Sequence, residues 1–551
     1  MPKKAICKIS GKEFEILDSE IELCKTLGVP LPEFSPTERF RTLMSFRNEW
    51  KLYHRKCDAT GEDILSAYSK DSPYKVYKNK YWWSDAWNAL DYGRDFDFKR
   101  PFFEQFKELQ LVVPREGTSV FNSENCDYNS HIRESKNCYL NSLVFKCENL
   151  YYSYWVVNDI NVFDSAITND STLCYYCQNV NNSYNCFFLE ESNSCNDCYF
   201  SYQLRGCKNC IFSNNLANKT YYAFNKQCTE KEFEEIKNKY LDGSNTNLEK
   251  AKEEFKKIRK NAIHRSLHNL NCENCTGDHL YNCKKCENAY EGFNSELCVN
   301  SISLGDATSV HSCYSAGWPN CPGPVYMSLV TRAGQFIAFC NYTWFSSKLL
   351  YCDSINACNS CFGCTGLNHK NYCILNKQYS KEEYEKLVPK IIEHMKKAEE
   401  WGQFFPKQLS VFAYNETPAQ DFFPLTKEEA TKAGFRWRDE DKKEYKKSTI
   451  LNFPENINEV SESFCKEILA CKTCEKNYKI IEPELQFYKQ SSLPIPQNCP
   501  DCRYKERALS RNPFTLFTRQ CDNCKKEIQS TYSKNREEKV YCDECFLKNV
   551  E

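Results

Sequence analysis

Between residues 126 and 210 a small apolar side chain returns at every twelfth position: Cys126, Cys138, Leu150, Val162, Cys174, Cys186, Cys198 and Cys210. The residue before is mostly asparagine (Asn125, Asn137, Asn149, Asn161, Asn185, Asn209), and the residue after is mostly aromatic (Tyr139, Tyr151, Phe163, Tyr175, Phe187, Tyr199). Three places before each position stands Ser or Cys, with Asp159 the one exception. An inward small group, a turn-forming Asn and an outward aromatic at a fixed short period predict a β-solenoid. Its rungs stack about 4.8 Å apart and set equivalent side chains in columns. One turn per repeat and one turn per two repeats fit the spacing equally. A looser copy follows, stepping by twelve from Cys286 to Cys298 and from Cys340 through Cys352 to Cys364, around an irregular stretch at 299–339. Both copies end alike, since 207–227 aligns with 358–378 without a gap. Each then enters a helix through a capping box, Thr229 with Glu232 and Ser380 with Glu383.

The ends of the chain carry a second duplication. Residues 7–82 align with 471–546 at a constant offset, with 24 identities in 76 positions, where ordinary composition gives roughly five. In the C-terminal copy Cys471 and Cys474 are followed by Cys499 and Cys502, then Cys521 and Cys524 by Cys542 and Cys545. A CxxC turn points two thiolates at one ion, and a second pair completes a tetrahedral shell. Four protein ligands leave no open position, which is the pattern of structural zinc. Two Zn2+ ions are expected, and an interleaved pairing of the four motifs fits the sequence as well. The N-terminal copy keeps only Cys7 and Cys57; Ser10, Ser35, Glu38, Thr60, Lys78 and Tyr81 stand at the other six places. It is expected to be zinc-less, with packing by Tyr81, Trp82 and Trp83 in the metal's stead.

These patterns predict a mainly β, multi-domain chain in which a duplicated twelve-residue β-solenoid lies between treble-clef or zinc-ribbon modules. The segments are a degenerate double module at 1–83, an aromatic linker and helix at 84–118, solenoid copies at 119–228 and 271–379, and a helical connector between them at 229–270. A helix at 380–402, a Pro/aromatic linker at 403–460 and the intact double module at 461–551 complete the chain. In the linker, Phe404, Phe405, Phe422 and Phe423 need burial, so it is expected to lie across another domain.

Charge adds little direction: 73 Lys+Arg against 74 Asp+Glu leaves a formal net charge of −1, and no whole-chain basic field. No run of eighteen apolar residues crosses a membrane, and MPKKAICKIS has no apolar stretch behind its lysines. The 36 cysteines therefore read as thiols and metal ligands of a cytoplasmic protein rather than disulfides. Repeat cysteines are read first as a buried column. Close pairs such as Cys174/Cys177 and Cys358/Cys361 are a second, metal-binding reading. No P-loop, GxSxG or HExxH occurs, and the eight histidines stand at no ligand spacing, so no enzyme is expected. Arg503, Lys505, Arg507, Arg511 and Arg519 follow the zinc motifs, and Arg39, Arg41, Arg47, Lys51, Arg55 and Lys56 recur in the other copy. Such a run is a candidate phosphate-contacting surface.

The segment CKTCEKNYKIIEPELQFYKQSSLPIPQNCPDCRYKER resembles the probable zinc-ribbon, treble-clef-like domains of bacteria with CxxC and CxxCR. RPFFEQFKEL and YNETPAQDFFPLTKEEATKAGFRWRDED look like large zinc-ribbon proteins of uncultured, small-genome bacteria. That resemblance implies zinc at Cys471, Cys474, Cys499 and Cys502 and lends no mechanism. The expected function is a non-catalytic zinc-binding scaffold or adaptor for RNA or a ribonucleoprotein such as the ribosome. A protein-assembly platform on the solenoid faces and a thiol-metal storage or cluster protein are the alternatives. Neither a membrane nor a small-molecule substrate is expected as a partner.

Overall fold

The computed structural model describes residues 2–439, 445–450 and 452–550, with side chains at all of these but 316–319. Backbone pairing follows the repeat. Strand Ser142–Phe145 pairs in parallel with Ser130–Arg133 before it and Tyr154–Val157 after it, each partner twelve residues away. Between them a second set does the same, Glu148–Tyr151 joining Lys136–Tyr139 to Ile160–Phe163. Pairing therefore steps by twelve residues, with two strands to each step. Among the described residues this gives a 16-stranded curled parallel sheet from Val120 to Gln227 and a 14-stranded one from Gly277 to Gln378.

The chain turns at every third residue through a positive φ, as at Asn125 (+51°), Tyr128 (+59°), His131 (+56°), Glu134 (+52°) and Asn137 (+53°). Left-handed backbone strains most L-residues, and Asn bears it best. The Asn column also offsets the strain by bonding along the stack: Asn125 Nδ2 donates to Asn137 Oδ1 at 3.1 Å, Asn137 to Asn149 at 3.1 Å, and Asn149 to Asn161 at 2.9 Å. Inside, the column from Cys126 to Cys210 forms a buried apolar cluster in which every cysteine is a free thiol. Cys186 Sγ donates to Tyr184 O at 3.3 Å and Cys198 Sγ to Asn196 O at 3.4 Å. The Ser-or-Cys position has its own cause, because it must accept the N–H of the next turn. Cys147 N donates to Ser135 Oγ at 3.1 Å, Asp159 N to Cys147 Sγ at 3.4 Å, and Ser171 N to Asp159 Oδ1 at 2.8 Å.

The irregular stretch at 299–339 is one enlarged turn. Pairing there steps by fifteen residues, Val310 to Val325 and Tyr314 to Leu329, and returns to twelve at Leu329 with Asn341. This enlarged step adds one triplet to the twelve-residue spacing.

Both end modules hold the same elements at the same offset. Helix Pro36–Met44 matches Pro500–Ala508, and the hairpin of Tyr53–Lys56 with Asp63–Ser66 matches Phe517–Gln520 with Glu527–Ser530. Each packs mainly on one sheet and touches the other. Leu23, Phe40, Leu43 and Met44 share a core with Tyr290, Tyr326, Phe339 and Tyr351 of the second sheet. On the first sheet the aromatic column does leave the coil, yet it is not free: Leu485, Phe487 and Tyr488 cover Tyr151, Phe163, Tyr175 and Phe187, and Phe163 stacks on Phe487 at 3.9 Å. Both capping boxes form. Phe404 and Phe405 are buried, with Phe422 and Phe423 packed against the same core. Among the described residues no helix is long and apolar enough to cross a membrane.

Candidate metal centres

The eight C-terminal cysteines form two sets in chain order, not interleaved. The thiols of Cys471, Cys474, Cys499 and Cys502 all lie within 4.8 Å of one another, and so do those of Cys521, Cys524, Cys542 and Cys545. In each set the first pair sits in the loop of a short antiparallel hairpin, Leu469–Ala470 with Asn477–Tyr478 and Phe517–Gln520 with Glu527–Ser530. The second pair opens a helix, Pro500–Ala508 or Asp543–Val550. Cys474 Sγ is 3.7 Å from Cys499 Sγ, and Cys524 Sγ is 3.8 Å from Cys542 Sγ. These are far beyond a disulfide bond of about 2.05 Å. They equal the edge, about 3.8 Å, of a tetrahedron with metal–sulfur bonds of about 2.3 Å.

The first thiol of each set is prepared for negative charge. Burial pushes Cys471 up, but the backbone N–H groups of Cys499, Cys474 and Thr473 aimed at its sulfur outweigh this and hold it at about 7. Cys521 is brought to about 6 against burial by the N–H groups of Cys524, Cys542 and Asn523. The key donors are Cys499 N and Cys542 N, each 3.2 Å from its sulfur.

The two thiols kept in the N-terminal module are the equivalents of these. Lys78 N, in the place of Cys542, donates to Cys57 Sγ at 3.3 Å. Burial raises Cys7, yet the Ser10 hydroxyl and the N–H groups of Ser35, Ser10 and Ile9 bring it to about 7. Cys57 is likewise lowered against burial by the Thr60 hydroxyl and the Lys78 N–H. A hydroxyl in the second CxxC place thus replaces a second thiolate with a hydrogen bond. Tyr81 packs edge-on against Tyr77 at 5.2 Å, and Trp82 is buried against Trp83 and Trp87.

The basic residues are placed otherwise than a phosphate-contacting surface requires. Arg503 Nε and Arg507 Nη1 each lie 3.0 Å from Asp164 Oδ1, and Arg503 Nη2 lies 3.3 Å from Glu484 Oε1, all buried. Arg519 is buried on Asp522 at 3.0 Å, and Arg511 lies over the Tyr154 ring at 4.9 Å. Lys505 is exposed. In the other module Arg39 pairs with Glu20, Arg47 with Glu49 at 3.0 Å and Arg55 with Asp58 at 2.8 Å. Buried cations need carboxylates more than surface ones do; Arg503 and Arg507 fasten the C-terminal module to the first sheet through Asp164, whereas the Arg39, Arg47, Arg55 and Arg519 pairs each lie within one module.

Among the described residues no three repeat thiols converge as the terminal sets do. Sequence reasoning passed over one cluster: Glu191, His268 and His279 meet. The spacing of His268 and His279 becomes ligand-like only once a turn of the coil is known to be about twelve residues long.

No family model matches the chain, and none of the curated proteins does. Among solved structures, one described as a "putative acetyltransferase" from Desulfovibrio desulfuricans is similar at 11% identity and a TM-score of 0.10. The match covers 42% of this chain and spans 60% of that protein's length.

Proposed function

We propose that the protein is a zinc-stabilised, non-catalytic scaffold: two closed tetracysteine zinc sites of treble-clef or zinc-ribbon type lock the C-terminal module onto a β-solenoid that meets a macromolecular partner. The convergence of eight thiols into two four-ligand sets carries this reading, since a filled shell holds structure and offers no position to a substrate. Thiolate sets of this kind suit zinc or iron, and zinc is favoured by the knuckle, hairpin and helix order. The partner is proposed to be a protein. The arginines named for RNA are engaged inside the molecule, and what stays open is a column on the first sheet. Lys136, Glu148, Ile160, Thr172, Tyr184, Asn196 and Lys208 stand in register there, with Ile160 43% and Tyr184 51% exposed. A photo-crosslinking side chain at Ile160 or Tyr184, used in cells with and without nuclease, tests it. One nuclease-resistant protein adduct is expected. A nuclease-sensitive adduct returns the RNA reading, and metal-free thiols in the purified chain overturn the zinc sites.

A further inference from the structure

Where the first sheet meets the start of the second, His279 Nε2 lies 3.0 Å from Glu191 Oε2, and His268 Nε2 lies 3.8 Å from the same oxygen. The two imidazoles stack with centroids 4.7 Å apart, because the pairing there runs one residue short, Leu270 with Tyr281. Asp278 stands behind both rings, Oδ1 3.2 Å from His268 Nδ1 and Oδ2 3.7 Å from His279 Nδ1. Its other hold is on the last tetracysteine unit, where the Thr531 hydroxyl donates to Oδ2 at 2.6 Å. A carboxylate behind the ring with Nε2 ahead is how proteins aim imidazole at a metal and fix its tautomer. We infer that Glu191, His268 and His279 form a third metal site, for a borderline divalent cation such as zinc, with Asp278 positioning both imidazoles.

The donor chemistry favours that class of cation, since two imidazoles and one carboxylate suit zinc and its neighbours better than calcium or magnesium. Three protein ligands leave one further position, and Asn179 stands beside it. Its Nδ2 lies 3.1 Å from His279 Nε2, while its buried Oδ1 has no hydrogen-bond partner. Asn179 Nδ2 also donates to Glu191 Oε1, and a half-turn about χ2 exchanges that donor for the unpartnered oxygen. Access exists through a cavity of about 130 Å³ lined by Asn179, Glu191, Gln203 and His268. The ion ties both sheets to the last module, a role separate from the tetracysteine sites.

The test is the metal content of the full chain, loaded with Zn2+ and washed free of excess. About three ions per chain are expected, against about two if only thiolate sites exist. Glu191→Gln and His279→Gln each remove one and leave two. A content of about two in the unaltered chain, or a third ion that survives both substitutions, overturns the site. Should the variants fail to fold, Co2+ titration of the unaltered chain decides. A third equivalent that adds visible d–d bands without further thiolate charge-transfer supports it, and saturation at two refutes it.

Discussion

At each C-terminal centre four thiols meet; at each N-terminal counterpart one thiol remains, Cys7 or Cys57, and a hydroxyl answers it. The thiol kept is the one that accepts N–H groups from the later segment of its unit. The knuckle's converging amides thus survive without an ion, and the other three ligands do not. Where the metal-bearing copy bends through Glu475 (φ +61°) and Lys525 (φ +63°), the other has Gly11 (φ +68°) and Gly61 (φ +72°). Glycine removes the strain of that corner. What both copies share is a buried Arg–Glu pair inside the module whose arginine also reaches a sheet, Arg39 with Glu20 and on to Ser312, Arg503 with Glu484 and on to Asp164. Docking is common property, and the metal is one of two ways to make the docking surface rigid.

The largest effect should come from the metal. Chelation, or Cys499→Ser, is expected to cost on the order of 5 kcal/mol in the C-terminal module and to leave the N-terminal one folded. Hydrogen exchange at Phe487 and Tyr488 against Phe40 and Leu43 reads this out, and equal loss at both ends would break the comparison. The converse is Ser10→Cys with Ser35→Cys and Glu38→Cys, which should raise the zinc content by about one per chain. Next come the docking cations. Arg503→Met and Arg39→Met each strand a buried carboxylate and should cost about 3–5 kcal/mol in denaturant midpoints; a harmless Arg39→Met would show that the pair is not shared after all.

Acidity separates the two pairs more finely. Burial raises both carboxyls, but Arg39 brings Glu20 below its usual value, whereas at Glu484 burial outweighs Arg503 and the Tyr488 hydrogen bond, with the Asp164 charge adding to it. Glu20 therefore contributes stability that is present above the unfolded value, about 4.3, and is lost as pH falls through its lower folded value. Glu484 works oppositely, its cost growing as pH rises above about 4.3. Thermal melts should find that the effect of Glu484→Gln moves toward stabilisation between pH 4 and pH 8, whereas Glu20→Gln becomes more destabilising over the same range. A shared direction would refute the contrast. Smallest is the corner: Gly11→Ala should cost about 1 kcal/mol, and Glu475→Gly almost nothing while metal is bound.

Local chemistry was the legible part of this molecule. CxxC pairs announce themselves because both ligands come from one turn, and the twelve-residue period shows because every turn must bury something small. The alignment of the end modules was equally open to reading, and the stripped ligand set with it. Hidden were matters that depend on contacts far along the chain. The corners fall on Trp155, Phe188 and Leu140 as readily as on Asn, since the inter-turn ladder, not local preference, imposes them. Arg503 and Arg507 read as a basic face because their partner, Asp164, lies more than three hundred residues upstream. The aromatic column read as a free surface for the same reason, its cover arriving with Phe487. His268 and His279 carried no signal until the length of a turn gave eleven residues a meaning.

Pairing that steps by twelve residues, and once by fifteen, has consequences for descent. An in-frame gain of one whole step adds two strands and about 4.8 Å to the sheet and leaves its cross-section and thiol column as they were, whereas a gained triplet widens a single step. Length in this molecule thus changes in counted steps, and the wider step near Gly323 is the other kind of gain.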